Sequence, residues 1–326
     1  MNLTQSIINF DYLSITFDIP IPNRETTLNK LLELSKRDKS DSRYKIECTY
    51  ERIKKSRYKK NFLIFIRPTS KNPISNSASY HGVKFILSLD PIDKTQILRG
   101  NRKKQYYAKI AFNPNKTKFP GAQKISNFLC RLINEEVVGK LYENGRITRL
   151  DMCVDLHEQS LVFLPYAPKV KKYKSYKTKA GAVSSIILGS AKSKSKIRIY
   201  DKKKEEREKG KRPSTYDIHL RLELQQRDLR CTPEFCSVMP FKKKLTQVDF
   251  FNQTLFEDDS IDSTFKSNVV EGGINYALNF LDKKKRRAIL VILREKHLLP
   301  QPFDVHGIRV EQFSLLLSAF KKIISF

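Results

Sequence analysis

A chain of 326 residues, 40% of them apolar, carries 63 Lys and Arg against 34 Asp and Glu, a formal net charge of +29 at pH 7. That apolar share excludes wholesale disorder, and no run approaches the roughly 20 apolar residues that a spanning helix needs. A charge this large and this positive points to phosphates as the partner, because neutralising them releases counterions.

The length fits one large domain or two moderate ones. Residues 1–10 lack the basic region and apolar stretch of a secretory signal, so a cytoplasmic location is expected. Five scattered cysteines (Cys48, Cys130, Cys153, Cys231 and Cys236) read as reduced thiols, not as a disulfide framework. Cys231 and Cys236 have no second Cys or His pair near them in sequence, which argues against structural zinc.

In chain order, residues 10–17 alternate and end before two prolines, which predicts a strand. Residues 24–37 place Leu28, Leu31, Leu32 and Leu34 at helical spacing. Strands follow at 44–52 and 61–67, then a turn-rich stretch at 68–79, then strands at 82–89 and 105–112. A helix over 123–138 sets Ile125, Phe128, Leu129, Leu132 and Ile133 on one side. A strand at 149–155 leads into an irregular, Lys-rich stretch at 165–180. A hairpin then joins 183–188 to 197–200 through a turn at 189–193. Residues 201–209 read as a short charged helix stopped by Gly210, with Pro213 barring its return, and 219–225 as a strand. From about 232 the pattern is mostly helical, clearest at 311–326 with Phe313, Leu316, Leu317, Phe320, Ile323 and Ile324.

The expected class is α+β, with a mostly antiparallel central sheet, flanking helices and a helical C-terminal region. The order of elements also allows a doubled strand-helix-strand arrangement across 1–225. Two regions are expected: 1–230, with its N-terminal half at 1–120 and key strands at 145–228, and 231–326, for DNA binding or for packing on the core.

Side chains alternate faces along a strand. In the strands at 149–155, 197–200 and 218–224 one face is therefore Leu150, Met152, Val154, Ile197, Ile199, Ile218, Leu220, Leu222 and Leu224. The other carries Asp151, Asp155, Arg198, Tyr200, His219, Arg221 and Glu223. Hard carboxylate oxygens of this kind suit Mg²⁺ or Mn²⁺. Asp151 and Glu223 make the better metal pair. Asp155 lies about 13 Å from Asp151 along an ideal strand at 3.3 Å per residue, so it joins them only if the strand is distorted. The competing reading is a surface network in which these acids pair with Arg149, Arg198 and Arg221.

Tyr200 is one of fourteen tyrosines, and most tyrosines are amphipathic residues at the edge of a core. Its phenol attacks phosphorus only where cations lower its pKa, and Arg198, Lys202 and Arg221 are the cations nearest in sequence or across the inferred sheet.

Four segments together resemble a known family. They are Asp11 to Phe17 (Asp-Tyr-Leu-Ser-Ile-Thr-Phe), Arg149-Leu150-Asp151 with Asp155, Leu188-Gly189-Ser190 running to Arg198-Ile199-Tyr200-Asp201-Lys202 with Glu205, and Arg221-Leu222-Glu223. In this order, over about residues 10–228, the chain looks like the rolling-circle replication initiators of the Rep trans type, found on plasmids and filamentous phages and related to some relaxases. The resemblance implies that Tyr200 nicks one DNA strand and stays joined to its 5′ phosphate, with Arg198 and Lys202 beside it. It implies that Asp151 and Glu223, with Asp155 as helper, hold Mg²⁺ or Mn²⁺. None of the five histidines forms the His-x-His pair of the other rolling-circle type.

Phosphate contacts are expected from Arg149, Lys192, Lys194, Lys196, Lys203, Lys204 and Arg221. Residues 169–212 hold seventeen Lys and Arg against four Asp and Glu. The partners implied are origin DNA, as a single-stranded or hairpin nick site with flanking duplex, and the host helicase and replication machinery. A homodimer is compatible with this reading. A membrane surface is not expected, since the Lys-rich stretches lack the apolar face of an interfacial helix. A conjugative relaxase, or a non-catalytic DNA-binding regulator on the same fold, remains open. DNA affinity is expected to fall steeply between 50 and 200 mM salt, by about 10³-fold or more if six or more phosphates are contacted. Fluorescence-anisotropy titrations across that range check this, and a flat response would contradict the phosphate reading.

Overall fold

The computed structural model describes residues 8–36, 44–48, 58–66, 83–91, 107–157, 163–168, 170, 172–177, 183–190, 192–208, 210, 219–229, 231–233, 236 and 243–300. The fold is α+β, with a ten-stranded antiparallel sheet and a separate two-stranded one. The chain divides into two compact units. The first comprises Phe10–Leu150 with Asp228–Cys236, and the second Asp151–Arg227 with the described part of Ser237–Arg309.

From Phe10 onward the first unit holds β1 (Ile8–Phe17) and α1 (Ile21–Lys36), followed by β2 (Tyr44–Cys48), β3 (Tyr58–Ile66), β4 (Val83–Pro91) and β5 (Ala108–Phe112). Its strands lie in the order β2-β3-β4-β5-β1, antiparallel throughout. Leu13, Ile15, Phe62, Ile64, Phe85, Leu87 and Ile110 are buried on it. The helix α2 (Pro114–Leu132) adds Ile125, Phe128 and Leu129 to that core, with Phe128 edge-on to Phe85 at 5.6 Å between centroids.

The single helix expected over 123–138 is two. α2 begins nine residues earlier than expected, at Pro114, because Asn113 Oδ1 accepts from the Lys116 N–H at 2.9 Å and Pro114 suits the first helical turn. It ends at Leu132. Asn134 Oδ1 then accepts from the Glu136 N–H at 2.6 Å and opens α3 (Glu135–Gly139). The Asn side chain offers the backbone an alternative to continued helix, which apolar periodicity does not register. After α4 (Leu141–Asn144) the strand β6 (Arg146–His157) starts in this unit, where Ser14 and Thr148 hydroxyls bond at 2.8 Å.

The second unit contains the rest of β6, β7 (Phe163–Tyr166), β8 (Tyr173–Lys177), β9 (Val183–Leu188), β10 (Ser195–Asp201), α5 (Lys202–Glu208), β11 (His219–Arg227) and β12 (Asp249–Asn252). Two longer helices follow, α6 (Ser263–Asn279) and α7 (Lys283–Lys296). The strand order is β6-β11-β10-β9-β8, and β12 pairs with β7. The stretch expected to be irregular, 165–180, contains β8, which pairs with β9 from Tyr173↔Leu188 to a bulge at Tyr176/Lys177. Lys174 and Lys177 obscure this strand in sequence, and Lys is a residue that natural edge strands favour. The helix expected at 311–326 lies outside the described residues. Among the described residues no helix is long and apolar enough to cross a membrane.

Phe251, Leu255, Ile261, Phe265, Val269, Ile274, Leu278 and Leu293 form a second buried cluster. Buried Asn275 fixes the loop after β7 beside it, donating to Ala167 O at 2.8 Å and Val170 O at 2.9 Å. Two residues earlier α6 kinks at Gly273, with φ 79° and ψ 174°. A Cβ there would stand 2.6 Å from the Tyr173 ring. Gly273→Ala is therefore expected to destabilise this unit by at least about 1–3 kcal/mol, since that backbone region is nearly glycine-only. Urea unfolding checks it, and an unchanged midpoint would contradict the kink.

Candidate active site on the β6–β11–β10 face

Pairing between β10 and β11 sets Arg198 opposite Glu223 and Tyr200 opposite Arg221, with Ile197↔Leu224 and Ile199↔Leu222 between them. On the other side of β11, Gln225 bonds Asp151 and Arg221 bonds Asp155, so β6 runs antiparallel to it. The expected apolar face is buried: Leu150, Met152, Val154, Ile197, Ile199, Leu220, Leu222 and Leu224 are all at most 7% exposed. Ile218 lies outside the described residues. The opposite face forms a three-by-three array. Asp151, Cys153 and Asp155 come from β6, Gln225, Glu223 and Arg221 from β11, and Lys196, Arg198 and Tyr200 from β10.

Asp155 and Arg221 are committed to each other. Arg221 Nε donates to Asp155 Oδ1 at 2.6 Å and Nη2 to Oδ2 at 2.7 Å, a two-pronged pair with little solvent exposure. Asp151 is buried, and its Oδ2 accepts from Gln225 Nε2 at 3.3 Å. Glu223 is half-buried, and its Oε2 accepts from the Tyr200 hydroxyl at 3.4 Å.

Tyr200 is only 3% exposed. Burial first, then the Glu223 carboxylate, pushes its phenol well above the ordinary tyrosine value, and Glu205 adds to this. Arg221 and Arg198 pull the other way. The Arg198 guanidinium lies 4.1 Å from the ring centroid and Lys202 Nζ 5.8 Å. Lys202 also pairs with Glu205 at 2.5 Å on α5, whose first turn is capped by Asp201 Oδ1 accepting from the Lys204 N–H at 2.9 Å. The phenol thus stands among two carboxylates, Glu223 and Glu205, and three cations, in a place poor in water.

The expected phosphate contacts scatter around this face. Lys192 and Lys194 are exposed in the turn after Gly189, whose φ of 105° permits the tight reversal, and Lys196 is half-buried opposite Gln225. Lys203 and Lys204 sit half-buried on α5. Arg149, in the first unit, stacks on the Tyr12 ring at 4.2 Å.

Among the described residues no three His, Cys, Asp or Glu side chains gather as a metal-holding group. The donors that fit a hard dication are the Asp151 and Glu223 carboxylates together with Gln225, whose buried Oε1 has no hydrogen-bond partner. Two carboxylates and an amide oxygen are the donor types that Mg²⁺ and Mn²⁺ take. Gln225 is absent from the sequence-based set, although it lies two residues beyond Glu223 and so on the same face.

No family model and no curated protein matches the chain. Among solved structures it is similar to a rolling-circle replication initiator protein from Geobacillus stearothermophilus, at 13% identity and a TM-score of 0.41, over 93% of this chain and 99% of that one.

Removing either member of the Asp155–Arg221 pair is expected to cost about 3–5 kcal/mol, because the other charge stays buried without its two-pronged partner. Asp155→Leu combined with Arg221→Met should cost much less than the two single changes added together. Denaturant unfolding of the full cycle measures this, and simple additivity would show that the pair is not coupled.

Proposed function

We propose that this protein nicks and rejoins one strand of DNA at a replication origin through a 5′-phosphotyrosine on Tyr200, starting rolling-circle replication. The observation that carries the reading is the Tyr200 hydroxyl on the Glu223 carboxylate, with Asp151 on the same face and Arg198 over the ring. Support also comes from the Arg198-Ile199-Tyr200-Asp201-Lys202 motif and from the charge of +29.

In this mechanism Glu223 Oε2 receives the phenolic proton, as its hydrogen bond already prepares. The Tyr200 oxygen forms a bond to phosphorus, the bond from phosphorus to the 3′ oxygen breaks, and that oxygen takes a proton from solvent water and leaves as a 3′ hydroxyl. Attack by a 3′ hydroxyl on the phosphotyrosine reverses the step and reseals the strand. Arg198 and Lys202 neutralise the phosphate as it approaches. Asp151 and Glu223 would hold a Mg²⁺ or Mn²⁺ ion, which supplies Lewis-acid stabilisation of the charge building on the phosphate oxygens. A cation on Glu223 would offset its charge beside the phenol and relieve part of the upward push on the Tyr200 pKa.

Origin DNA is the partner this reading requires, with the host helicase and replication machinery acting on the primer in the cytoplasm. A conjugative relaxase shares both chemistry and residues, and differs in the DNA that surrounds its site. The burial of Tyr200 favours a different reading, a DNA-binding regulator without catalysis, since a nucleophile must reach solvent or substrate.

The two are separated by incubating supercoiled origin DNA with protein and Mg²⁺ or Mn²⁺. The nicking reading expects relaxed product carrying protein at the 5′ end. Tyr200→Phe is expected to lose that adduct while retaining DNA affinity within about twofold. An adduct still formed by the Phe variant rules out Tyr200 as nucleophile. Binding without any nicking by the wild-type protein supports the regulator.

A further inference from the structure

We infer that Gln225 is a third metal-binding side chain of this site, giving its amide oxygen Oε1 to the ion held by Asp151 and Glu223. The inference rests on the metal reading above and adds to it a residue that the motifs do not contain.

Gln225 is 6% exposed, on the polar side of a strand whose other side is core. A buried amide needs partners for both its oxygen and its nitrogen, and an unmade bond leaves the desolvation of that atom uncompensated. The nitrogen has one, since Nε2 donates to Asp151 Oδ2 at 3.3 Å. The oxygen has none. That bond also places the orphan, because the amide head must lie against the Asp151 carboxylate.

Glu223 precedes Gln225 by two residues and shares its face, about 7 Å away at 3.3–3.4 Å per residue. Asp151, Glu223 and Gln225 therefore present three oxygen-bearing groups from two adjacent strands. The other acid of the face, Asp155, is held by both prongs of Arg221. A dication matches two carboxylates in charge, and a neutral amide oxygen adds a donor without adding charge. Lys196, opposite Gln225, and Arg198, opposite Glu223, border the same spot from β10. Their positive charge would favour a phosphate beside the ion.

A hydrogen-bonding role for Gln225, holding Asp151 through Nε2, makes a different forecast, and two variants tell them apart. Gln225→Met keeps the volume and removes both oxygen and nitrogen. Gln225→Glu keeps an oxygen donor and removes the N–H. Mn²⁺ affinity of the full-length protein, without DNA, is measured by the loss of the free-ion electron paramagnetic resonance signal, with circular dichroism melting as the folding check. The inference expects Gln225→Met to bind Mn²⁺ about tenfold or more weakly, comparable with losses seen on perturbing metal shells. It expects Gln225→Glu to bind at least as tightly as wild type. Wild-type affinity in the Met variant overturns it. So does equal weakness in Met and Glu variants, which marks a role through the N–H alone. If the wild-type protein binds no Mn²⁺, the metal reading itself fails and this inference with it.

Discussion

The antiparallel register of β10 on β11 is the constraint on which the site depends. Because side chains alternate, a slip of one residue would turn Tyr200 into the core and Ile199 out of it. What holds the register is the apolar side. Ile199, Leu222 and Leu224 are at most 1% exposed, and each such side chain stabilises by about 1.5–3 kcal/mol when fully buried. The tight turn at Gly189 fixes the partnership of β9 with β10 from the other end. The chemistry on one face is thus aligned by packing on the other.

Electrostatics then divides the acids of that face. In a protein of net charge +29, carboxylates set among cations would ordinarily read as salt-bridge partners. Asp155 is one, gripped by Arg221 with both oxygens. Asp151 accepts from the Gln225 amide and Glu223 from the Tyr200 phenol. A neutral donor stabilises a carboxylate without cancelling its charge. The phenol bonded to Glu223 is held protonated by the same arrangement.

Much of this was legible in the sequence. Period-two alternation located all three strands and sorted their faces, and Gly189 and Gly210 marked a turn and a helix end where the structure has them. The irregular reading of 165–180 failed because β8 owes its form to pairing with β9, a non-local contact that a Lys-rich segment does not announce. The helix break at Asn134 depends on one side-chain cap, invisible to apolar periodicity. The bond between Asp155 and Arg221 follows from the β6–β11 register, which the intervening residues do not encode locally. Gln225 escaped notice because an amide carries no charge to draw attention. Its significance lies in being buried with one atom unsatisfied, which only coordinates reveal.

The most direct measurement is anomalous diffraction from crystals of the protein grown with Mn²⁺. The account predicts a manganese peak within bonding distance of the Asp151 and Glu223 carboxylates, on the face that presents Tyr200. A peak at another site, or occupied manganese with Asp151 and Glu223 turned away from it, would contradict the proposed centre.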